Sequence, residues 1–76
     1  MEKRYYLMVI GADDDWVVGV RGLLFDNHAR RLYFKERYFV AQFIKTHITN
    51  MRLLVRGRSM ILIDDQLGKV EQVHLR

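Results

Sequence analysis

Arginine carries most of the chemistry available to this chain. Arg30, Arg31, Lys35 and Arg37 surround Tyr33 and Tyr38, and Arg52, Arg56 and Arg58 follow within one seven-residue stretch. A guanidinium is planar and permanently charged, grips two oxygens of one phosphate, and stacks on aromatic faces. Basic side chains interleaved with tyrosines suit single-stranded nucleic acid, with phosphates paired and bases stacked. In Arg31-Leu32-Tyr33-Phe34-Lys35 the alternation puts Arg31, Tyr33 and Lys35 on one side of an extended segment. The candidate nucleic-acid-binding residues are thus Arg30, Arg31, Tyr33, Lys35, Arg52, Arg56 and Arg58. The same residues also fit an ordinary solvated face, and neither the aromatic RNP strand pattern nor helix-turn-helix spacing is present.

Other reactive groups are sparse. Asp13, Asp14, Asp15, Asp64 and Asp65 form two acidic runs of the kind that can hold magnesium. Both fall in expected turns, where aspartate serves backbone geometry, and the calcium-loop spacing is absent. His28, His47 and His74 stand 19 and 27 residues apart, without a paired ligand spacing. With no cysteine, one serine (Ser59) and no Gly-x-Ser-x-Gly elbow, a nucleophilic triad is hard to assemble. Gly19-Val20-Arg21-Gly22 lacks the Lys-Ser/Thr of a phosphate loop. No catalytic residue, metal or cofactor is expected, and the chain is read as a non-enzyme.

One stretch resembles a known family. Leu53-Leu54-Val55-Arg56-Gly57-Arg58-Ser59-Met60-Ile61-Leu62-Ile63-Asp64-Asp65, continuing through Lys69 to His74-Leu75-Arg76, looks like the last strands of RelE-type ribonuclease toxins. The resemblance implies that Arg56, Arg58 and His74 would serve messenger cleavage at the ribosome. The family places a helical hairpin before these strands, where the residue pattern here reads as largely extended.

The elements that must position these groups follow from periodicity. Arg4–Ile10, rich in Tyr, Val and Ile, reads as a strand; Gly11–Asp15 as a turn; Trp16–Phe25 as a longer strand bent at Gly19 or Gly22; and Arg31–Lys35 as a third strand. From Arg37 the period changes: Phe39, Val40, Phe43, Ile44, Ile48 and Met51 recur at helical spacing, with Asn50 as a left-handed cap. Arg52–Arg56, Met60–Asp64 and Lys69–Leu75 read as strands again. Arg56–Ser59 and Asp65–Gly68 are the hairpin turns between them. The expected fold is a single α+β domain over residues 1–76: a small twisted, mainly antiparallel sheet in the order β-β-β-α-β-β-β with one helix on one face. A small SH3-like β-barrel with an inserted helix is the alternative.

Composition bounds the function. Half of the residues are hydrophobic and 29% charged, the mixture of a globular domain rather than a disordered chain. Thirteen basic residues against nine acidic ones give a net charge of +4, and nine of the thirteen are arginine. The longest apolar runs fall far short of the ~20 residues that span a bilayer, and Met1–Tyr6 has no signal-peptide pattern, so no membrane partner and a cytoplasmic location are expected. A chain of this size without disulfides has a small core. Several strands are apolar on both sides, as in Tyr5-Leu7-Val9 against Tyr6-Met8-Ile10, and one helix covers only one face. Self-association, most simply a homodimer, is the expected completion. A nucleic-acid-binding module is therefore the first expectation. A protein-interaction or assembly module working through an apolar sheet face is the second, and a small RelE-like ribonuclease the third.

Overall fold

Tyr5–Ile10 forms strand β1, and its alternation sends Tyr5, Leu7 and Val9 to one face and Tyr6, Met8 and Ile10 to the other. The computed structural model describes residues 3–11, 15–17 and 31–75. Strand β2, Asp15–Val17, pairs antiparallel with the end of β1, Val17 opposite Met8 and Asp15 opposite Ile10. The rest of the expected second strand, Val18–Phe25, and the connector through Arg30 lie outside the described residues. On its other side β1 pairs along its whole length with β3, Ser59–Asp64. Strand β4, Lys69–Val73, then pairs antiparallel with β3, completing the order β2-β1-β3-β4. Among the described residues this sheet is open, and the arrangement is α+β.

Two helices, rather than one, connect the halves. Helix α1 is Arg37–Thr46 and helix α2 is Ile48–Leu54. The break falls at His47, where φ is −112° and ψ 20°. No proline or glycine causes it. β-Branched Thr46, Ile48 and Thr49 flank His47 and are poor helix formers. The Thr46 hydroxyl also donates back to the Gln42 carbonyl at 2.8 Å, a local bond that bends helices.

Four expectations are corrected here. Arg52–Arg56 is not a strand: residues through Leu54 are helical, and Val55 caps α2. Leu53-Leu54-Val55 fits either period, and the tertiary environment decides. Met51 and Val55, one helical turn apart, are both buried, whereas Leu53 is 67% exposed. Asn50 lies inside α2 and is not a left-handed cap, since no described non-glycine residue has positive φ. Arg56–Ser59 is consequently a helix-to-strand turn instead of a hairpin. Gly57 takes φ +76° within it, and the Arg58 N–H donates to the Val55 carbonyl at 2.7 Å. Arg31–Lys35 forms no ladder either. Phe34 makes an isolated bridge to Tyr5, through reciprocal backbone bonds of 2.9 and 2.8 Å. The order β-β-β-α-β-β-β thus becomes, among the described residues, β-β-α-α-β-β.

The core lies between the sheet and the helices. Leu7 faces Leu62 and Val9 faces Met60 across β1 and β3, and Val40, Met51, Val55 and Phe34 close over them. Leu7, Val9, Met51 and Met60 are almost wholly excluded from solvent. The β3–β4 hairpin turns at Asp65–Gly68 with Gly68 at φ +68°, as its residue types led one to expect. A Cβ at Gly57 or Gly68 would meet nothing within 4 Å, so only backbone conformation demands glycine there. Gly57→Ala and Gly68→Ala should each lower unfolding stability by about 1 kcal/mol in urea titrations, the cost of left-handed backbone for an L-residue. Gly68→Asn should lose less, since asparagine tolerates that region.

Candidate functional site

A cationic concavity sits where α2 ends and β3 begins. This shallow groove of about 300 Å³ is bordered by Arg52, Arg56, Arg58, Gln72 and His74, over a floor that includes Val55, Met60 and Val73. Each member arrives for a local reason. Arg52 lies in the last turn of α2, where a cation meets the negative end of the helix dipole. Arg56 is four residues further on, and Gly57 redirects the chain so that Arg58 and Ser59 enter β3. The register Met60 opposite Val73 then brings Gln72 and His74 alongside. None of the described residues lining the groove is acidic. Three arginines, a histidine, a glutamine and Ser59 therefore border one concavity at this edge of the sheet. That set can hold phosphate oxygens, while the apolar floor can accept a ring or sugar face.

The other predicted site residues fall elsewhere. Arg31 and Tyr33 do share a surface, on the sheet face away from the helices. The Arg31 guanidinium lies 4.4 Å over the Tyr6 ring and donates to the Tyr33 hydroxyl at 3.4 Å. Tyr33 packs edge-on against Tyr6 with centroids 5.6 Å apart, and Lys3 lies 5.8 Å from the Tyr33 ring. The Tyr33 ring is thus engaged inside the protein, and Tyr6 is buried beneath it. This cluster is separated from the groove: Tyr6 faces Ile63, four residues along β3 from Ser59, about 13 Å of extended chain. Lys35 stands over the Phe39 ring at 5.8 Å, beside the exposed Tyr38, on a third surface. Arg37 pairs with Glu71 of β4, tying α1 to the sheet's outer strand. Arg30 lies outside the described residues.

Three of the arginines singled out in the sequence, Arg52, Arg56 and Arg58, border this groove, together with Gln72, Ser59 and an apolar floor that residue types did not mark. His74 was marked by the resemblance alone. Helices α1 and α2 precede β3, where the sequence pattern reads as largely extended. No protein-family model, no curated protein and no solved structure matches this chain. Among the described residues no three His, Cys, Asp or Glu side chains cluster as metal ligands would, and no helix is long and apolar enough to cross a membrane.

Asp64, read from the sequence as a turn aspartate, organises the opposite end of the sheet. Its Oδ1 accepts the backbone N–H groups of Gln66 and Leu67 at 3.1 and 3.2 Å. The Arg4 guanidinium donates to both carboxylate oxygens, at 3.1 and 3.4 Å. The Arg4 hydrogen bond, reinforced by those backbone donors, holds the Asp64 carboxyl below the usual carboxylate range against the opposing effect of desolvation. A carboxyl shifted downward by folding stabilises fully above the unfolded pKa of about 4 and loses that contribution as pH falls through the depressed value. The urea midpoint should therefore hold between about pH 7 and 5 and fall below about pH 4. Asp64→Asn should lower the neutral-pH midpoint and flatten the acid limb.

Proposed function

We propose that the protein is a nucleic-acid-binding module whose phosphate contacts are made at the groove of Arg52, Arg56, Arg58, Gln72 and His74. The observation that supports this reading is the convergence of three arginines and a histidine on one concavity with no acidic residue in its described lining. An acidic peptide would also be attracted. Three arginines bordering an apolar floor suit the repeated phosphate and ring units of a nucleic acid better. A volume of about 300 Å³ is on the scale of one nucleotide unit and not of a duplex, so single strands are the preferred ligand.

Counterion release makes the reading measurable. A single strand loses about 0.7 in the slope of log affinity against log salt for each phosphate neutralised, so three contacts give a slope near −2 and about a twentyfold fall in affinity between ~50 and ~200 mM salt. Fluorescence anisotropy with single-stranded DNA, RNA and duplex DNA should show this slope. Arg52→Ala, Arg56→Ala and Arg58→Ala should each weaken binding and reduce the slope by about 0.7, whereas Arg31→Ala should leave the slope unchanged. No binding at the lower salt would refute the proposal.

A second reading, RNA cleavage, is supported by Arg56, Arg58 and His74 sharing the groove behind a helical pair, as the RelE resemblance implies. Cleavage needs one group to deprotonate a ribose 2′-hydroxyl and another to protonate the leaving oxygen. His74 offers one such group, and the arginines would stabilise the phosphorane charge. Incubation with end-labelled RNA should then yield discrete products that His74→Ala abolishes while binding persists. Intact RNA throughout leaves the groove as a binding site only.

A further inference from the structure

We propose that the outer edge of β4 is a dimerisation surface, pairing antiparallel with β4 of a second copy of this chain in a register centred on Val70. Strand β4 is bonded to β3 on one side, and among the described residues no element pairs with its other side. Lys69, Val70, Glu71 and Gln72 are all exposed, Val70 by 63%. An open edge presents alternate N–H and C=O groups as a template for another strand.

Side-chain chemistry selects the occupant and the register. Two copies related by a two-fold axis perpendicular to the sheet keep the same face upward, so residues opposite one another must share strand parity. Centring the axis on Val70 puts Val70 against the partner's Val70, Lys69 against the partner's Glu71, and Glu71 against the partner's Lys69. Centring it on Glu71 sets two carboxylates face to face; centring it on Lys69 sets two ammonium groups face to face. Only the Val70 register is self-complementary in charge. A lone edge lysine blunts pairing; a glutamate two residues further on converts the same lysine into half of a reciprocal ion pair.

The surroundings fit that register on both faces. Lys69 lies opposite Asp64 and Glu71 opposite Leu62, so both charges project on the helix side, where Arg37 already meets Glu71. The partner's Lys69 would extend this pair to a three-member network. Val70 projects on the other face beside Ile63, next to the half-buried Ile61 and Met8. Two apposed Val70 side chains therefore join the apolar stripes of two sheets into one. Gly68, opposite the partner's Gln72, carries no side chain to obstruct the approach.

Sedimentation equilibrium tests the proposal with reciprocal charge variants. The native chain should dimerise, and Lys69→Glu and Glu71→Lys should each raise the dissociation constant about tenfold or more, because each places two like-charged pairs opposite one another. Mixing the two variants should restore association as a heterodimer, since the wholly acidic edge of one then faces the wholly basic edge of the other. Lys69→Glu leaves the Arg37–Glu71 pair in place, so its effect does not depend on that contact. Val70→Cys, the sole cysteine of its chain, should cross-link through a short bis-maleimide. A native chain that stays monomeric at its highest soluble concentration overturns the proposal. So does a dimer that both charge variants leave intact, or a mixture of variants that fails to associate.

Discussion

The pairing of β1 with β3 is the constraint on which the rest of this protein depends. Tyr5–Ile10 and Ser59–Asp64 are separated by most of the chain, yet align over six residues from Tyr5 opposite Asp64 to Ile10 opposite Ser59. A one-residue slip would turn Leu62 and Met60 away from Leu7 and Val9 and empty the core onto the solvent face. Asp64 guards the register at one end by tying the β3–β4 turn to Arg4, whose own carbonyl accepts the Asp65 N–H at 2.7 Å. Because these contacts close a loop of roughly fifty residues, their entropy cost precedes their reward, and folding is limited by this non-local step.

Every group able to meet a ligand is placed by that pair. On the outer side of β1, Phe34 and β2 take successive positions; on the outer side of β3 comes β4. The helices return the chain from Phe34 to the start of β3, so the end of α2 and the end of β4 meet over the same corner of the sheet. The groove is the product of that meeting. Its arginines come from the returning segment, its glutamine from β4 and its histidine from the residue that follows β4, neighbours only because β3 lies between them. The opposite end of β3 collects Arg4, Arg31 and the edge-packed Tyr6 and Tyr33, where guanidinium groups pack on rings and serve structure.

The two faces of the sheet have different fates. The helix side holds the sealed core. On the other side Tyr6 is sealed by Arg31 and Tyr33, while Ile61 and Ile63 are half-buried and Val70 is open. The unequal covering continues to the edges: β1 is central, whereas β4 presents a short strand with one lysine, one valine and one glutamate in succession. Arg37 reaches that strand from α1 across the helix side, a surface ion pair worth at most about 1 kcal/mol that nonetheless orients Glu71.

How much of this was legible in advance depends on the range of the interaction responsible. The sequence by itself determined β1, β3, β4 and the Asp65–Gly68 turn, because period-two alternation and left-handed glycine are properties of a few adjacent residues. It also determined which way Arg31, Tyr33 and Phe34 face, although Phe34 meets β1 by an isolated bridge and not a ladder. It did not determine the helical state of Arg52–Leu54, since a short apolar run satisfies both periods until Met51 and Val55 find the same buried surface. Nor did it determine the break at His47, which arises from β-branched crowding and a single hydroxyl-to-carbonyl bond. The division of the basic residues into a groove, a tyrosine cluster and a Lys35 over Phe39 was decided by tertiary structure alone. Residue types give a count of basic groups, but only strand register, set by burial between segments far apart in the chain, decides which of them stand together.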